Sequence, residues 1–436
     1  LLFVWLVSMV LSAEFVLSVS MIGLLLLALF QLHIEGPKIH FTLRATLREN
    51  LKKLTTYPAW LVVSIPFLLV LISAIWSSDL EYTLERLRIK LPFLVLPFAF
   101  ASMPGLRKRE ILAIFYFLLV MMSIISLYVC AQFTVNFGEI MAELGRGGHL
   151  PTPSNHIRFS LTLAIAILGG VAVWAEKFYF RHPFERWLTG GLTVFLFIFI
   201  HILSVRSGIL ALYLALFVLA LHTVFARKKY LLGLGVILTL AVLPILAYHT
   251  LPSFQRKIEY ARWDFLQYLQ GKGSEYPDAE RLVSMEVGLK IGNANPIFGV
   301  GAGDVKQETK EYYQENLAGR YDFKLPHNQL VTIYAGTGAA GLALFLTGFF
   351  YPLFYQRNYR QPLFLALHGI VFMSFLMENT IENNFGVSMY LFFLLIGLNY
   401  LSNNLTPTIH HIPQLKHPKR HQNQPDKYIQ PSRHLR

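Results

Sequence analysis

Apolar runs of about twenty residues, separated by short polar breaks, fill most of this chain, and within them apolar and polar positions do not alternate. Hydrocarbon offers no water to satisfy backbone amides and carbonyls, so such runs predict transmembrane α-helices rather than the strands of a barrel. The expected spans are 1–11, 14–33, 59–76, 88–103, 111–133, 157–175, 187–204, 207–225, 230–249, 328–352, 361–377 and 384–401. The fold class that follows is an all-α polytopic membrane protein with about twelve transmembrane helices. The run 1–11 is too short to cross, and because the chain opens on Leu1 where a methionine is expected, a few residues are expected to be missing ahead of it. Pro92 and Pro97 predict a kink in 88–103.

One stretch breaks the pattern. From Thr250 to His327 the chain is polar and bounded on both sides by apolar runs, which predicts one large loop domain between the ninth and tenth helices. The expected organisation is transmembrane helices over 1–249, the loop domain over 250–327, further transmembrane helices over 328–401, and a basic tail over 402–436. The Pro, His, Gln and Asn content of that tail predicts disorder.

Short loops that keep lysine and arginine stay in the cytoplasm. The basic loops are 34–58, Arg107 to Arg109, Lys177 to Arg186, Arg227 to Lys229 and Arg357 to Arg360, with two spans between each and the next. They share a side with the tail, so both termini are expected in the cytoplasm. Segments 77–87, 134–156, 204–207, 250–327 and 378–383 then lie on the outer face. The composition agrees, with 54% hydrophobic residues and a mean hydropathy of +0.48. The formal net charge of +13 lies largely in the cytoplasmic loops and tail, where anionic lipid headgroups answer it, so membrane lipids and not nucleic acid are the expected partner. Cys130 is the one cysteine and sits in an apolar run, which excludes an intramolecular disulfide and makes packing its expected role. The sequence has no Walker-type phosphate loop, Cys-x-x-Cys pair, His-Glu-x-x-His helix or internal repeat.

The candidate chemistry lies on the outer face. Arg206, in Ser204-Val205-Arg206-Ser207-Gly208, stands between two apolar helices with almost no loop; it either snorkels to the headgroups or offers a planar fork to a diphosphate. Arg281 precedes Leu282, Val283, Met285 and Leu289, which fit one helical face, so it stands near the start of an amphipathic helix. It either pairs with Asp278 or Glu280 or faces a ligand. His327, held by Pro326 at a helix start, is either a local hydrogen-bonder or the base that takes a proton from an attacking hydroxyl.

Other outer-face groups add to these. Asn295-Pro296-Ile297-Phe298-Gly299-Val300-Gly301-Ala302-Gly303 has no strand before it, so a tight turn is expected and not a nucleotide cradle. Gly336, Gly338 and Gly341 are small residues at helical spacing, suited to close helix approach. Arg158 beside His156, and Arg86, Arg88 and Lys90, are further candidates for a phosphate or for structural pairing. Asn328, Glu378, Glu382 and the Asn379, Asn383 and Asn384 amides are candidates for sugar hydroxyls or for interfacial hydrogen bonds. Tyr260, Trp263, Phe265, Tyr268, Tyr276, Tyr312 and Tyr313 suit sugar stacking or interfacial anchoring. No cluster of carboxylates suited to Mg²⁺ is evident, so neither a metal nor a cofactor is expected.

The Ser-x-Arg206-Ser-Gly step, the Arg281 helix leading into Asn295-Pro296-x-x-Gly-Val-Gly-x-Gly, His327-Asn328, and then Gly336-x-Gly338-x-x-Gly341 occur in one order on one face. This combination resembles the O-antigen ligase family, which includes O-antigen polymerases and protein O-oligosaccharyltransferases. The likeness spans roughly 200–345 by motif and the whole chain by topology. Met285 departs from it, standing where members often have tryptophan, as does the short first helix. The resemblance implies a GT-C-like glycosyltransferase of the bacterial inner membrane with its site at the periplasmic face. Its donor would be a glycan on undecaprenyl diphosphate and its acceptor a lipid A core or another glycan. It also implies that Arg206 and Arg281 hold the diphosphate and that His327 activates the acceptor, in an inverting and metal-independent transfer. Ligation is expected, with polymerisation or protein glycosylation as alternatives. A secondary transporter is the alternative from another class, but it calls for polar or broken helices at mid-membrane, whereas the spans read as free of buried charge.

Overall fold

The computed structural model describes residues 1–35, 38–270, 276–317 and 321–404, so 405–436 of the basic tail lie outside the described residues. The elements in order are α1 (Leu2–Val10), α2 (Glu14–Leu29), β1 (Phe30–Glu35), β2 (Lys38–Leu43), α3 (Leu47–Thr56), α4 (Ile65–Ser73), α5 (Leu80–Ser102), α6 (Lys108–Val135), α7 (Phe137–Gly145) and α8 (His156–Ala175). They continue with α9 (Glu185–Leu203), α10 (Arg206–Arg227), α11 (Tyr230–Thr250), α12 (Pro252–Leu269), α13 (Pro277–Ala294), α14 (Val305–Asn316), α15 (Gln329–Phe354), α16 (Pro362–Met377) and α17 (Asn384–Asn404). Several starts are written in the sequence. The side chains of Asp79, Asn155 and Asn328 accept from the first free amides of α5, α8 and α15 at 2.9–3.4 Å. Proline occupies the first turn of α4, α12, α13 and α16, where its missing N–H costs nothing.

Every expected span falls on a helix. Seven of them (α6, α8, α9, α10, α11, α15 and α17) are long and apolar enough to cross a membrane, and α3 with α4, bent by 90°, would make an eighth. The chain is thus an all-α polytopic membrane protein; a count of twelve requires α1, α2, α5 and α16 to cross as well. The centre is formed by α8 and α17, whose apolar windows are 78% and 83% buried, whereas α11 at 11% lies on the perimeter. The α1 residue Trp5 donates its indole N–H to Ser388 of α17, fixing the first helix to that centre. The expected span 14–33 is shorter than predicted. It stops at Leu29 and continues as an antiparallel hairpin in which Phe30 faces Leu43 and His33 faces His40, because Gln31, Leu32, His33 and Ile34 alternate with period two. The fourth run begins earlier than expected: α5 starts at Leu80 and runs through both prolines.

The stretch 250–327 folds back on the helices as α12, α13 and α14. The buried face of α13 is Val283, Ser284, Val287, Gly288, Ile291 and Gly292. Of the face expected from Leu282, Val283, Met285 and Leu289, Val283 is buried as expected, whereas Leu289 is exposed. Small residues were selected because α13 lies close against α15: Gly288 faces Pro326 and Val331, and Gly292 faces Tyr334.

Gly336 and Gly338 also act differently from the expectation. They do not sit in a smooth helix. Gly338 has φ +64° and ψ −168°, and α15 is broken there. In an unbroken helix Ala339 N and Ala340 N would donate to Ala335 O and Gly336 O. Instead they donate to Pro296 O (2.8 Å) and Ile297 O (3.1 Å), while Ala335 O and Gly336 O accept from Val300 N (3.0 Å) and Gly301 N (2.9 Å). Two helical hydrogen bonds are exchanged for four bonds to the expected tight turn, whose Gly299 and Gly301 take φ of +68° and +100°. Beyond the turn, the Asp304 carboxylate accepts from Ser78 N and Asp79 N at 2.8–2.9 Å, tying the insert to the start of α5.

Candidate active site

All three principal candidates are gathered by α13. Asp278, in its first turn, accepts from Arg206 Nη2 with both oxygens at 2.6 Å. Arg281 follows one turn later and directs Nη2 to Glu378 at 3.4 Å. Ser284, one turn further, accepts from the backbone N–H of His327 at 3.2 Å and lies 3.5 Å from its Nδ1. Arg206, Arg281 and His327 thus come from a helix start, the insert and the segment entering α15, and meet at one end of the bundle. Arg281 does not pair with Asp278 or Glu280, as one reading expected: Asp278 is held by Arg206, and Glu280 by Lys324.

The His327 ring is held in its neutral form. Its Nδ1 lies 3.1 Å from the Leu325 carbonyl, which only accepts, so Nδ1 carries the proton and Nε2 keeps its lone pair. Burial, then the nearby charges of Arg281 and Lys324, push its pKa down to about 4. Glu378 is the reverse case. Burial raises its pKa against the pull of Arg281 and Arg158, and its Oε1 is buried without a hydrogen-bond partner among the described residues.

A neighbouring basic group was not singled out in the sequence. The α12 residue Lys257 is buried and donates to Gly147 O (3.0 Å) and His149 Nδ1 (3.2 Å). The His149 ring stacks on His156 with centroids 3.5 Å apart. Among the described residues no carboxylate lies within ion-pair distance of Lys257. Burial and the Arg206 charge bring its pKa down to about 8, opposed by Asp278. Burial, Lys257, His156, Arg281 and Arg206 depress His149 to about 3. Lys257 and His149 belong to the same field as the two arginines. Only their shared outer-face assignment could have brought them together in the sequence.

The remaining candidates separate. Arg158 lies over the Phe385 ring at 5.4 Å, beside Glu378. Arg88 is exposed and is not brought to the site, because the inward face of this part of α5 carries Arg86 and Lys90. Those two hold Glu382: Lys90 Nζ lies 2.6 Å and Arg86 Nη1 3.5 Å from its Oε2, and Gln329 Nε2 donates to its Oε1 at 2.9 Å. Glu382 is therefore spent in a buried network rather than open to a sugar. Its pKa is low although burial opposes this, because Lys90 and Arg86 prevail. This network also corrects the view of α5 as free of buried charge. Asn328 is likewise used by the fold, capping α15 with Oδ1 and donating Nδ2 to Leu376 O at 3.0 Å. Tyr260, Trp263 and Tyr276 line one open recess with Arg146 and Arg256.

The chain is a polytopic helical membrane protein whose polar insert gathers two arginines and a neutral histidine at one end of the bundle. Residues 191–346 match the family described as O-antigen ligase, a match that covers about a third of the chain and supports an assignment to that family. The matched segment runs from inside α9 to inside α15 and includes Arg206, Arg281 and His327, but not Arg158, Glu378 or Glu382. The family performs glycosyl transfer of the ligase or polymerase type, in O-antigen and lipopolysaccharide biosynthesis. No curated protein matches the chain.

Proposed function

We propose that this enzyme moves a glycan from undecaprenyl diphosphate to an acceptor hydroxyl at the periplasmic face of the inner membrane, and that the acceptor is the lipid A core. The observation that carries this reading is the convergence of Arg206, Arg281 and His327 on successive turns of α13. The domain division at 250 and 327 and the twelve-span topology are part of the same proposal.

In this reading the diphosphate replaces Asp278 on Arg206 and Glu378 on Arg281. The Arg206 pair lies at the surface, the arginine side chain 46% exposed, so such a contact is worth about 0–1 kcal/mol and a dianionic ligand displaces it. As the C1–oxygen bond breaks, negative charge grows on the departing diphosphate, and the two guanidiniums stabilise it without rearranging. The acceptor oxygen attacks C1 from the opposite face, inverting it, and gives its proton to Nε2 of His327. Arrival of the diphosphate beside Arg281 raises the basicity of His327, because the same charge that depresses its pKa is then neutralised. Donor binding thereby readies the base.

The test is transfer by purified protein in detergent with EDTA, from undecaprenyl-diphosphate glycan to lipid A core, comparing wild type with His327→Ala. Product from wild type and none from the variant is expected. Chain growth only on a second lipid-linked repeat would reassign the enzyme as a polymerase. Undiminished transfer by His327→Ala would remove the base, and loss of the wild-type reaction under EDTA would overturn metal independence.

A further inference from the structure

Joined to Arg281 through Glu378, the start of α8 and the segment between α16 and α17 enclose a polar recess. Its walls include Asn155, Arg158, Glu378, Asn379 and Asn383, and its volume of about 80 Å³ has room for several water-sized groups. Two charged side chains are left incomplete there. Glu378 Oε1 is buried with no hydrogen-bond partner among the described residues, since Arg281 Nη2 at 3.4 Å gives it charge but not a hydrogen bond in suitable geometry. Arg158 is held over Phe385 at 5.4 Å, and among the described residues no carboxylate lies within ion-pair distance of it. A buried carboxylate oxygen without a donor is costly, and natural sites keep such groups where a ligand completes them.

We infer that this recess is a sugar subsite in which Glu378 accepts from a ring hydroxyl and Arg158 and Asn379 donate to neighbouring ring oxygens. A neutral sugar suits it better than a second phosphate, because Glu378 repels an anion while a pair of hydroxyls uses acceptor and donor together. The assignment also gives Arg158 a role distinct from the diphosphate grip. Glu378 joins the two places: its side chain meets Arg281, and its carbonyl accepts from Gln329 N at 3.2 Å, two residues beyond His327. When a diphosphate takes Arg281, Glu378 is released to its hydroxyl. The inference rests on the proposed donor chemistry, and the sugar belongs either to the donor or to the acceptor.

Binding measurements on full-length protein in detergent separate the cases without relying on turnover. The probes are undecaprenyl diphosphate, the same lipid carrying one hexose, and a delipidated lipid A core oligosaccharide. The variants are Glu378→Gln, Arg158→Lys and Asn379→Ala, the last removing a side chain that makes no hydrogen bond among the described residues. In wild type the hexose should tighten binding of the lipid diphosphate if the subsite takes the donor sugar; otherwise the core oligosaccharide alone should bind. Each variant should weaken that one increment about five- to tenfold, while undecaprenyl diphosphate alone binds within twofold of wild type in Arg158→Lys and Asn379→Ala. If all three variants keep both sugar increments, the subsite is overturned and the donor reading stands. If Arg281→Ala also leaves undecaprenyl diphosphate binding unchanged, the donor reading falls with it.

Discussion

The same substitution at two glycines is expected to have opposite signs. At Gly338 the backbone lies at φ +64° and ψ −168°, a region essentially closed to side chains, and an added Cβ would meet the carbonyl of Ile297 and the amide of Phe298. Alanine there costs about 1–3 kcal/mol in backbone strain. Relieving the clash also means giving up the bonds from Ala339 N to Pro296 O and from Ala340 N to Ile297 O, at about 1 kcal/mol each. The sum is about 3–5 kcal/mol of destabilisation. Gly235 lies in α11 with ordinary φ and nothing within 4 Å of an added Cβ, so alanine there should stabilise by about 0.5–1 kcal/mol. Thermal unfolding in detergent, followed with a thiol-reactive dye at the half-buried Cys130, reads both variants on one scale. Gly338→Ala should melt several degrees below wild type and Gly235→Ala at or slightly above it. A Gly338→Ala protein that melts with wild type would refute the account of the break.

Three further outcomes are expected. If the buried Lys257 ammonium, which shares the field of Arg206 and Arg281, also donates to the diphosphate, Lys257→Gln should weaken undecaprenyl diphosphate binding about tenfold. Wild-type affinity should also decline as the pH rises through about 8, where the ammonium gives up its proton; pH-independent affinity from 7 to 9 would count against it. Asp278→Asn frees Arg206, so the KM for donor should fall by up to about fivefold, the worth of an exposed pair, and loss of transfer would show that Asp278 does more than occupy the fork. His149 and His327 have pKa values depressed to about 3 and 4. Their neutral burial stabilises the fold fully above pH 6.5, where the unfolded side chains are also neutral, and that stability drains away as the pH falls toward 4. The melting temperature should therefore drop between pH 7 and 5, with a smaller drop in His149→Gln, and a flat wild-type profile would contradict the assignment.

The helices, and the three residues that the fold brings together on α13, were legible because their signals are local. Run length marks the helices, basic loops mark one side, and Arg206, Arg281 and His327 each stand at a motif near a helix start. What escaped depends on partners far away in the chain. Lys90 and Glu382, 292 residues apart, read as two separate outer-face charges until the fold joins them. Arg88 was as plausible as Arg86, because one residue of helical rotation decides which turns inward. The buried face of α13 was read only in part, because hydrophobicity pointed to Leu282, Met285 and Leu289 beside the buried Val283, whereas close approach to α15 depends on Ser284, Gly288 and Gly292 being small. The spacing of Gly336, Gly338 and Gly341 fits helix packing equally well, and only the carbonyls of Pro296 and Ile297 reveal that the helix is interrupted.

That interruption bears on how the molecule could be rebuilt. An insert joined only at its two ends could be removed, exchanged with a relative's or expressed by itself. Here the insert's turn supplies the hydrogen bonds that an apolar helix lacks where it is broken. Excising 250–327 would leave the Ala335 and Gly336 carbonyls and the Ala339 and Ala340 amides bare unless α15 straightened, and straightening would move the segment that carries His327. Any chimera that trades acceptor specificity through this insert must therefore carry the first half of α15 along with it.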